Sequence, residues 1–395
     1  MPSIATTAVH AGRLPPKPGE PSMPPIVTAS GWTYPDMQAL DAALGDPQAG
    51  FVYSRNAAPT QEAFEAAVSA LENGAGGAAF ASGMAAIHAA LAVALAPQPD
   101  GTKPAGLVAA TELYGTSQTL VRYLAAQTGL SLAWVNIRDL AAVRAALGPG
   151  QVLLYEVISN PLCRVADAAA IGELARAAGA RVVVDSTFST PCLIRPLELG
   201  AQFVVHSATK YLGGHGDVLG GVAVAAAEAD AVALRRHRQM TGTNLSPFDA
   251  YLALRGLRTL ALRVREQNRN ALGLAEWLAA HPRVAQVHYS GLPANADHAV
   301  ARRLLGGCFG AMLAFDIKDA GRAEVFAFME KLNLIQRIPT LGDTATLAAY
   351  PAHASHRPLT PEQRAVLGIG DGCVRLSAGI EDLDDLIADL EQALG

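Results

Sequence analysis

Between about residue 60 and residue 245, short apolar runs alternate with Ala- and Leu-rich stretches. That alternation restricts the fold more than any other feature of the chain. The candidate strands are AAFAS (78–82), GLVAAT (106–111), SLAWVN (131–136), QVLLYEV (151–157), ARVVVDS (180–186), AQFVVHS (201–207) and GGVAVAA (220–226). Helices are predicted between them over 62–72, 83–95, 116–128, 139–147 and 167–178. A strand that is apolar almost throughout, rather than at every second residue, needs cover on both faces. With helices in between, this predicts an α/β architecture with a buried, mostly parallel central sheet.

The flanks differ. Residues 1–58 are rich in Pro, Gly and small residues, and the prolines at 15, 16, 18, 21, 24 and 25 predict an extended arm without a free-standing helix or sheet. Residues 59–246 carry the alternation. From 247 to 395 a long Arg-bearing helical stretch (248–280) leads into RVAQVHY, GAMLAFDI and a terminal helix over 382–394, which predicts a smaller C-terminal α+β domain.

Composition removes several classes of function. Half the residues are hydrophobic (51%) and 16% are charged, so the chain has material for a large core and is neither disordered nor a coiled coil. Its net charge is −5, and the densest basic patch, LRRHRQ at 234–239, reads as a solvated helix face, so no nucleic-acid partner is expected. The window 76–97 is long enough to span a bilayer, but Gly, Ser and His interrupt it and neither charge clusters nor aromatic anchors flank it. A buried helix is expected there, and no membrane partner. The four cysteines (163, 192, 308, 373) form no CxxC pair, so neither a disulfide scaffold nor a bound metal is expected. The N-terminus has no apolar core like that of a signal peptide, and the expected compartment is the cytoplasm.

The chemistry concentrates in FVVHSATKYLGGHGDVLGG (203–221). Only five lysines occur beside 25 arginines, yet position 210 is Lys. A guanidinium is never deprotonated in a protein, whereas a lysine amine can act as a nucleophile or base. Ligands of open α/β sheets bind beyond the carboxyl ends of the strands. VVVDS sets Asp185 at one such end, and VVHSATK sets Lys210 just past another, 25 residues on. Spacing alone leaves Asp185 open as a helix cap and Lys210 as a solvated loop residue. Neither nucleotide-loop pattern fits the glycines that follow: G-x-G-x-x-G would need Gly where Leu219 stands, and GxxxxGK is absent. In ASGMAAI, Ser82 and Gly83 begin a helix whose free N–H groups suit a phosphate, or which is simply capped by Ser82. A phosphate site, a lysine able to form an imine and an acid for a pyridine nitrogen are together what pyridoxal 5′-phosphate requires.

YSRNAAPT, SGMAAI, ELYGTSQTL, VVVDSTFSTP, HSATKYLGGHGDVLGG and VRLSAGIED, in that order and spacing, resemble the Cys/Met-metabolism (trans-sulfuration) family of pyridoxal-phosphate enzymes. The resemblance runs from about residue 5 to the C-terminus. It implies a fold-type I, aspartate aminotransferase-like transferase fold and pyridoxal 5′-phosphate as cofactor. Lys210 resembles the family's Schiff-base lysine, and Asp185 the partner of the pyridine nitrogen. Gly83, Met84, Ser207 and Thr209 resemble its phosphate ligands, and Tyr114 the tyrosine stacked on the ring, which also shuttles protons. Tyr53 and Arg55 resemble the pair that reaches the phosphate of a neighbouring subunit. That implies an arm over 1–58 extending to the neighbour and at least a dimer; a homotetramer of active dimers is the expected assembly, with dimer against tetramer left open. Asn160 and Arg375 resemble the substrate-orienting residues, Arg375 gripping the α-carboxylate. From the residues alone, Ser207 is equally a local turn and Asn160 a pre-proline cap.

The departures from the family pattern are informative. Ala58 stands where the family has Asn before Pro-Thr. Val52 and Ala345 stand where cystathionine-handling members carry acids, which leaves the pocket apolar toward the γ-substituent. Thr340 keeps the hydroxyl of a family serine, and Thr116 replaces the Cys usual in methionine γ-lyases. The resulting expectation is a carbon–sulfur lyase. It performs α,γ-elimination on a sulfur amino acid such as methionine, homocysteine or cystathionine, giving 2-oxobutanoate, ammonia and a thiol. Lys210 then serves as base, and Tyr114 or Lys210 supplies a proton to the leaving group. The alternatives are γ-replacement, as in cystathionine γ-synthase or O-acylhomoserine sulfhydrylase, and a non-catalytic cofactor-binding regulator.

Overall fold

The computed structural model describes residues 2–13, 18–19, 21–46, 49–97, 101–357 and 359–395. Pro15 and Pro16, two of the prolines on which the extended arm rests, lie outside them. The rest of the arm departs from that expectation by forming two short helices, α1 (Ile4–His10) and α2 (Met37–Gly45). Both occupy proline-free stretches with a capping side chain in front: Ser3 accepts from the Thr6 N–H, and Asp36 from that of Ala39. Helix α1 is not free-standing. Arg258 donates to the carbonyls of Ala8, Val9 and Ala11 at its C-terminal end, at 3.1, 2.9 and 2.7 Å.

The alternating region begins with α3 (Pro59–Glu72), β1 (Gly76–Phe80), α4 (Gly83–Ala94), β2 (Gly106–Ala110), α5 (Gly115–Thr128), β3 (Ser131–Val135) and α6 (Leu140–Ala146). It continues through β4 (Gln151–Glu156), α7 (Ala168–Ala178), β5 (Arg181–Asp185), the single turn α8 (Thr190–Leu193), β6 (Phe203–Ser207), β7 (Gly221–Ala225) and α9 (Glu228–Thr241). All seven expected strands form and join one sheet, in the order β1-β7-β6-β5-β4-β2-β3. Strands β6, β5, β4, β2 and β3 run parallel, whereas β7 pairs antiparallel with both β6 and β1. The carboxyl ends of β1, β2, β4, β5 and β6 therefore share one edge. Every residue of β2 and β7 is buried, as their unbroken apolar sequences require.

Beyond it lie α10 (Pro247–Leu257), α11 (Leu260–Ala280), β8 (Val284–His288), α12 (His298–Leu304), β9 (Met312–Ile317) and α13 (Arg322–Lys331). The chain ends with β10 (Gln336–Arg337), β11 (Leu347–Ala349), α14 (Pro361–Val366), β12 (Cys373–Ser377) and α15 (Leu383–Leu394). The five strands form a second sheet, β10-β11-β12-β9-β8, with its own apolar core of residues such as Leu274, Phe315, Leu376 and Leu390. The expected helix over 248–280 is two helices, α10 and α11, meeting at Arg258–Thr259. Strands β10 to β12 were not expected: two are too short to show a period, and VRLS is read more readily as a motif than as a strand.

The patch LRRHRQ falls on α9 and corrects a second expectation. Its face is not wholly solvated, because Leu234 and Arg238 are buried, and Arg238 is ion-paired with Glu65 of α3. Among the described residues no helix is long and apolar enough to cross a membrane, and no group of metal-ligating side chains occurs.

Candidate active site

The common strand edge opens into a cavity of about 500 Å³ lined by residues of both sheets' surroundings. At its base, Glu156 ends β4 and Asp185 ends β5, and the two are register partners. Asp185 Oδ1 accepts from the Thr187 backbone N–H at 3.0 Å and from its hydroxyl at 2.5 Å, and the same hydroxyl accepts from Ser207 N–H at 2.9 Å. Burial pushes the Asp185 carboxyl up, while the two Thr187 donors and then His206 pull it back. Glu156 is pushed well up by burial first and by the neighbouring Asp185 second. Its Oε1 accepts from the backbone N–H of Tyr114 at 2.6 Å, which fixes the start of α5 and the tyrosine at the cavity mouth. The Tyr114 side chain is well exposed.

The wall beside β1 is a cradle. Ser82 caps α4 by accepting from Ala85 N–H, and its carbonyl accepts from Ala86 N–H, so the N–H groups of Gly83 and Met84 are left for a ligand. The chain passes so close here that glycine is required: a Cβ on Gly83 would stand 2.8 Å from Ser207 Cβ, and one on Gly221 2.2 Å from the Ser82 carbonyl. Ser207 and Thr209 line the same wall. The Thr209 hydroxyl is committed, donating to the Gly220 carbonyl at 3.2 Å and accepting from its N–H at 3.0 Å.

Lys210 sits in one wide helical turn, Ala208–Leu212, with φ −95° and ψ −129°, which breaks the turn at that residue. Its Nζ donates to Thr340 Oγ1 at 2.6 Å. Burial, with Arg375 nearby, pushes the amine down to about 8. Arg375, buried on β12, donates from Nη1 to Asn160 Oδ1 at 2.9 Å and from Nη2 to the Thr340 carbonyl at 3.0 Å. Its Nε is buried without a partner, a donor still to be satisfied.

These residues fit pyridoxal phosphate: an amine able to condense with an aldehyde, a partly buried acid lining the same cavity, and free helix-start N–H groups for the phosphate. The structure thus gathers Gly83, Met84, Tyr114, Asn160, Asp185, Ser207, Thr209, Lys210 and Arg375 around one cavity, with Thr340 bonded to Lys210. It does not gather Val52, Tyr53, Arg55 or Ala345, none of which lines the cavity. Tyr53 is half exposed, and Arg55 Nη1 donates to the Gln239 carbonyl at 2.7 Å. The Val52 carbonyl accepts from Trp32 N–H, and Ala345 lies in the turn before β11. The sequence reading passed over Glu156, Thr187 and Ser355. A carboxylate at the end of an apolar strand, as in LLYE, was the available signal for the first.

The sequence profile of Cys/Met metabolism PLP-dependent enzymes matches residues 5–395. The chain is 42% identical over 399 residues to an L-methionine gamma-lyase of Pseudomonas putida, covering 100% of this chain and 98% of the relative. It is 40% identical over 394 residues to an O-succinylhomoserine sulfhydrylase of Pseudomonas aeruginosa, covering 98% and 94%. In three dimensions it is similar to the cystathionine gamma synthase of Xanthomonas oryzae pv. oryzae solved with aminoacrylate and cysteine. The TM-score is 0.91 at 38% identity, over 100% of this chain and 98% of that one.

Proposed function

We propose α,γ-elimination as the reaction of this chain, which belongs to the Cys/Met metabolism PLP-dependent family and is a PLP-dependent enzyme of sulfur amino acid metabolism. The substrate would be a sulfur amino acid with an uncharged γ-substituent, methionine or homocysteine. One observation carries this choice. Among the described residues, Glu156 and Asp185, at the strand ends, are the only acids lining the cavity, and Phe188, Leu219, Pro339, Leu341 and Ala354 contribute apolar wall. A distal ammonium such as that of cystathionine finds no further acid there. Val52 and Ala345 are read as part of the same apolar specificity, Val52 from a neighbouring subunit.

Bound pyridoxal phosphate would supply the electron sink for carbanion chemistry at Cα and Cβ. The chain's own groups do the rest. Arg375 binds the α-carboxylate through the donors its two partners leave free, Nε–H among them, and Asn160 holds the guanidinium plane. Asp185, kept in place by Thr187, would hold the pyridine nitrogen through its carboxylate. Lys210 Nζ, once released from covalent duty, takes the α-proton. An amine at about 8 is neutral in roughly one molecule in ten at pH 7, and so is ready as a base. The Tyr114 hydroxyl, at the mouth, hands a proton to the departing thiolate.

The second reading is γ-replacement on an O-acylhomoserine, which the similarity to the sulfhydrylase supports almost as strongly as that to the lyase. Assays for 2-oxobutanoate with L-methionine, L-homocysteine and L-cystathionine, and for homocysteine from O-acetyl- or O-succinyl-L-homoserine with sulfide, decide between them. Homocysteine made only from the acyl ester overturns elimination.

The assembly we propose is a cytoplasmic homotetramer built from dimers that share sites. Tyr53 and Arg55 are presented outside their own cavity, as residues serving a neighbour would be. The four cysteines are unpaired, as in a reducing compartment. Gel filtration that finds an active monomer overturns the shared site.

A further inference from the structure

Buried ion pairs are costly to build, so one placed between two ligand-facing segments calls for a reason. Arg238 is the largest fully buried side chain among the described residues and pairs with Glu65, itself buried on α3. The same Glu65 Oε1 accepts from the backbone N–H of Ala79, on the strand that delivers Ser82 and Gly83. The other arm of Arg238 leads elsewhere: Nη2 donates to the Asn56 carbonyl at 3.0 Å. Gln239 Nε2 donates to Asn56 Oδ1 at 2.8 Å, and Asn244 Nδ2 to the Arg55 carbonyl at 2.9 Å, while Asn244 also bridges to Phe80. The segment 238–244 thus fastens the surface loop that carries Tyr53 and Arg55 to the strand leading to the chain's own phosphate cradle.

We propose that Arg238 is a positioning residue for cofactor binding in the neighbouring subunit, acting through Asn56 on the presentation of Tyr53 and Arg55. This rests on the shared-site reading above. The geometry makes the assignment directional. The guanidinium is far from solvent and does not line its own cavity. What its second arm holds is backbone of the loop that carries Tyr53 and Arg55, which lies outside that cavity. A buried, planar, two-armed donor is needed because one arm is neutralised by Glu65 while the other fixes a carbonyl; a lysine can keep the first contact but not both.

The test uses hybrid dimers, made by co-expressing two differently tagged full-length copies. The readout is the yield of cofactor fixed covalently on Lys210 by borohydride as pyridoxal phosphate is titrated. In the Arg238→Lys homodimer, the half-saturating cofactor concentration should rise about tenfold. In a hybrid of Arg238→Lys with Lys210→Ala, the intact Lys210 faces an intact loop from the other copy, and affinity there should return to that of the parent. An Arg55→Ala with Lys210→Ala hybrid runs in parallel. If the Arg55 hybrid recovers and the Arg238 hybrid does not, Arg238 acts on its own subunit's cradle and the proposal is overturned. If neither recovers, the shared site itself is wrong. An Arg238→Lys homodimer that binds as tightly as the parent also overturns the proposal. Should Arg238→Lys fail to fold, Gln239→Leu, which cuts a tie to Asn56 and spares the ion pair, must show the same loss and the same recovery.

Discussion

Lys210 donates to the hydroxyl of Thr340, and the carbonyl of that same threonine accepts from Arg375. One residue therefore steadies the base through its side chain and the carboxylate anchor through its backbone. Thr340→Ala removes only the first of these contacts. We expect kcat on the best sulfur substrate to fall about tenfold while KM stays within about twofold, as steady-state kinetics would show. A rise in KM with kcat unchanged would mean that the hydroxyl serves the substrate instead.

The pH dependence of cofactor capture follows from the Lys210 amine. Its value is depressed from 10.5 to about 8 by burial and by Arg375, so the reactive neutral form prevails above pH 8. Apoprotein should capture pyridoxal phosphate faster as pH rises through about 8, then level off. A rate still climbing at pH 10 would refute the depression. The linkage has a definite sign too: between about 8 and 10.5 the unfolded chain holds a proton the folded chain has shed, so this group adds stability as pH rises through that window.

Arg375→Lys keeps a positive charge but loses the fork that holds Asn160, the Thr340 carbonyl and the substrate together. KM should rise by about 10- to 100-fold, corresponding to about 1.5–3 kcal/mol for hydrogen bonds to a charged group. Substrate saturation curves measure this directly.

Two carboxyl groups stand side by side at the strand ends and should respond differently to removal of their charge. Glu156 is pushed toward its neutral form, and it accepts from the backbone N–H groups of Tyr114, at Oε1, and of Asn160; an amide oxygen reproduces the first of these contacts. Glu156→Gln should change stability by no more than about 1 kcal/mol, by urea denaturation, and leave the cofactor's absorbance spectrum intact. Asp185→Asn removes the charge that a pyridinium requires, and kcat should drop by about 100-fold or more. Equal losses in the two variants would show that the pair acts as a unit.

Ala58 is the N-cap of α3 and offers no side-chain acceptor, with Pro59 following at the first helical position. Ala58→Ser supplies the missing acceptor at small added volume. Unfolding should become harder by about 1 kcal/mol, read as a shift in the urea midpoint at unchanged slope.

The α/β alternation was readable from the chain because β2 and β7 are apolar throughout and β4, β5 and β6 each carry an unbroken apolar run, a pattern that only a doubly covered sheet rewards. Lys210, Asp185 and the Ser82–Gly83 helix start were readable for a local reason as well: each sits where a strand ends or a helix begins, and the sequence around it marks that boundary. The helices of the arm were hidden by prolines that lie outside them, and two strands of the small sheet were too short to show a period. What only the tertiary structure decided are the contacts across long chain separations. Thr340 meets Lys210 from 130 residues away, Asn160 meets Arg375 across 215, and Arg238 reaches Asn56 across 182. The linear pattern of a sequence records which residues can be buried or can end an element. Which buried donor finds which acceptor depends on how two sheets and the helices between them pack, and that is fixed only once the whole chain has closed on itself.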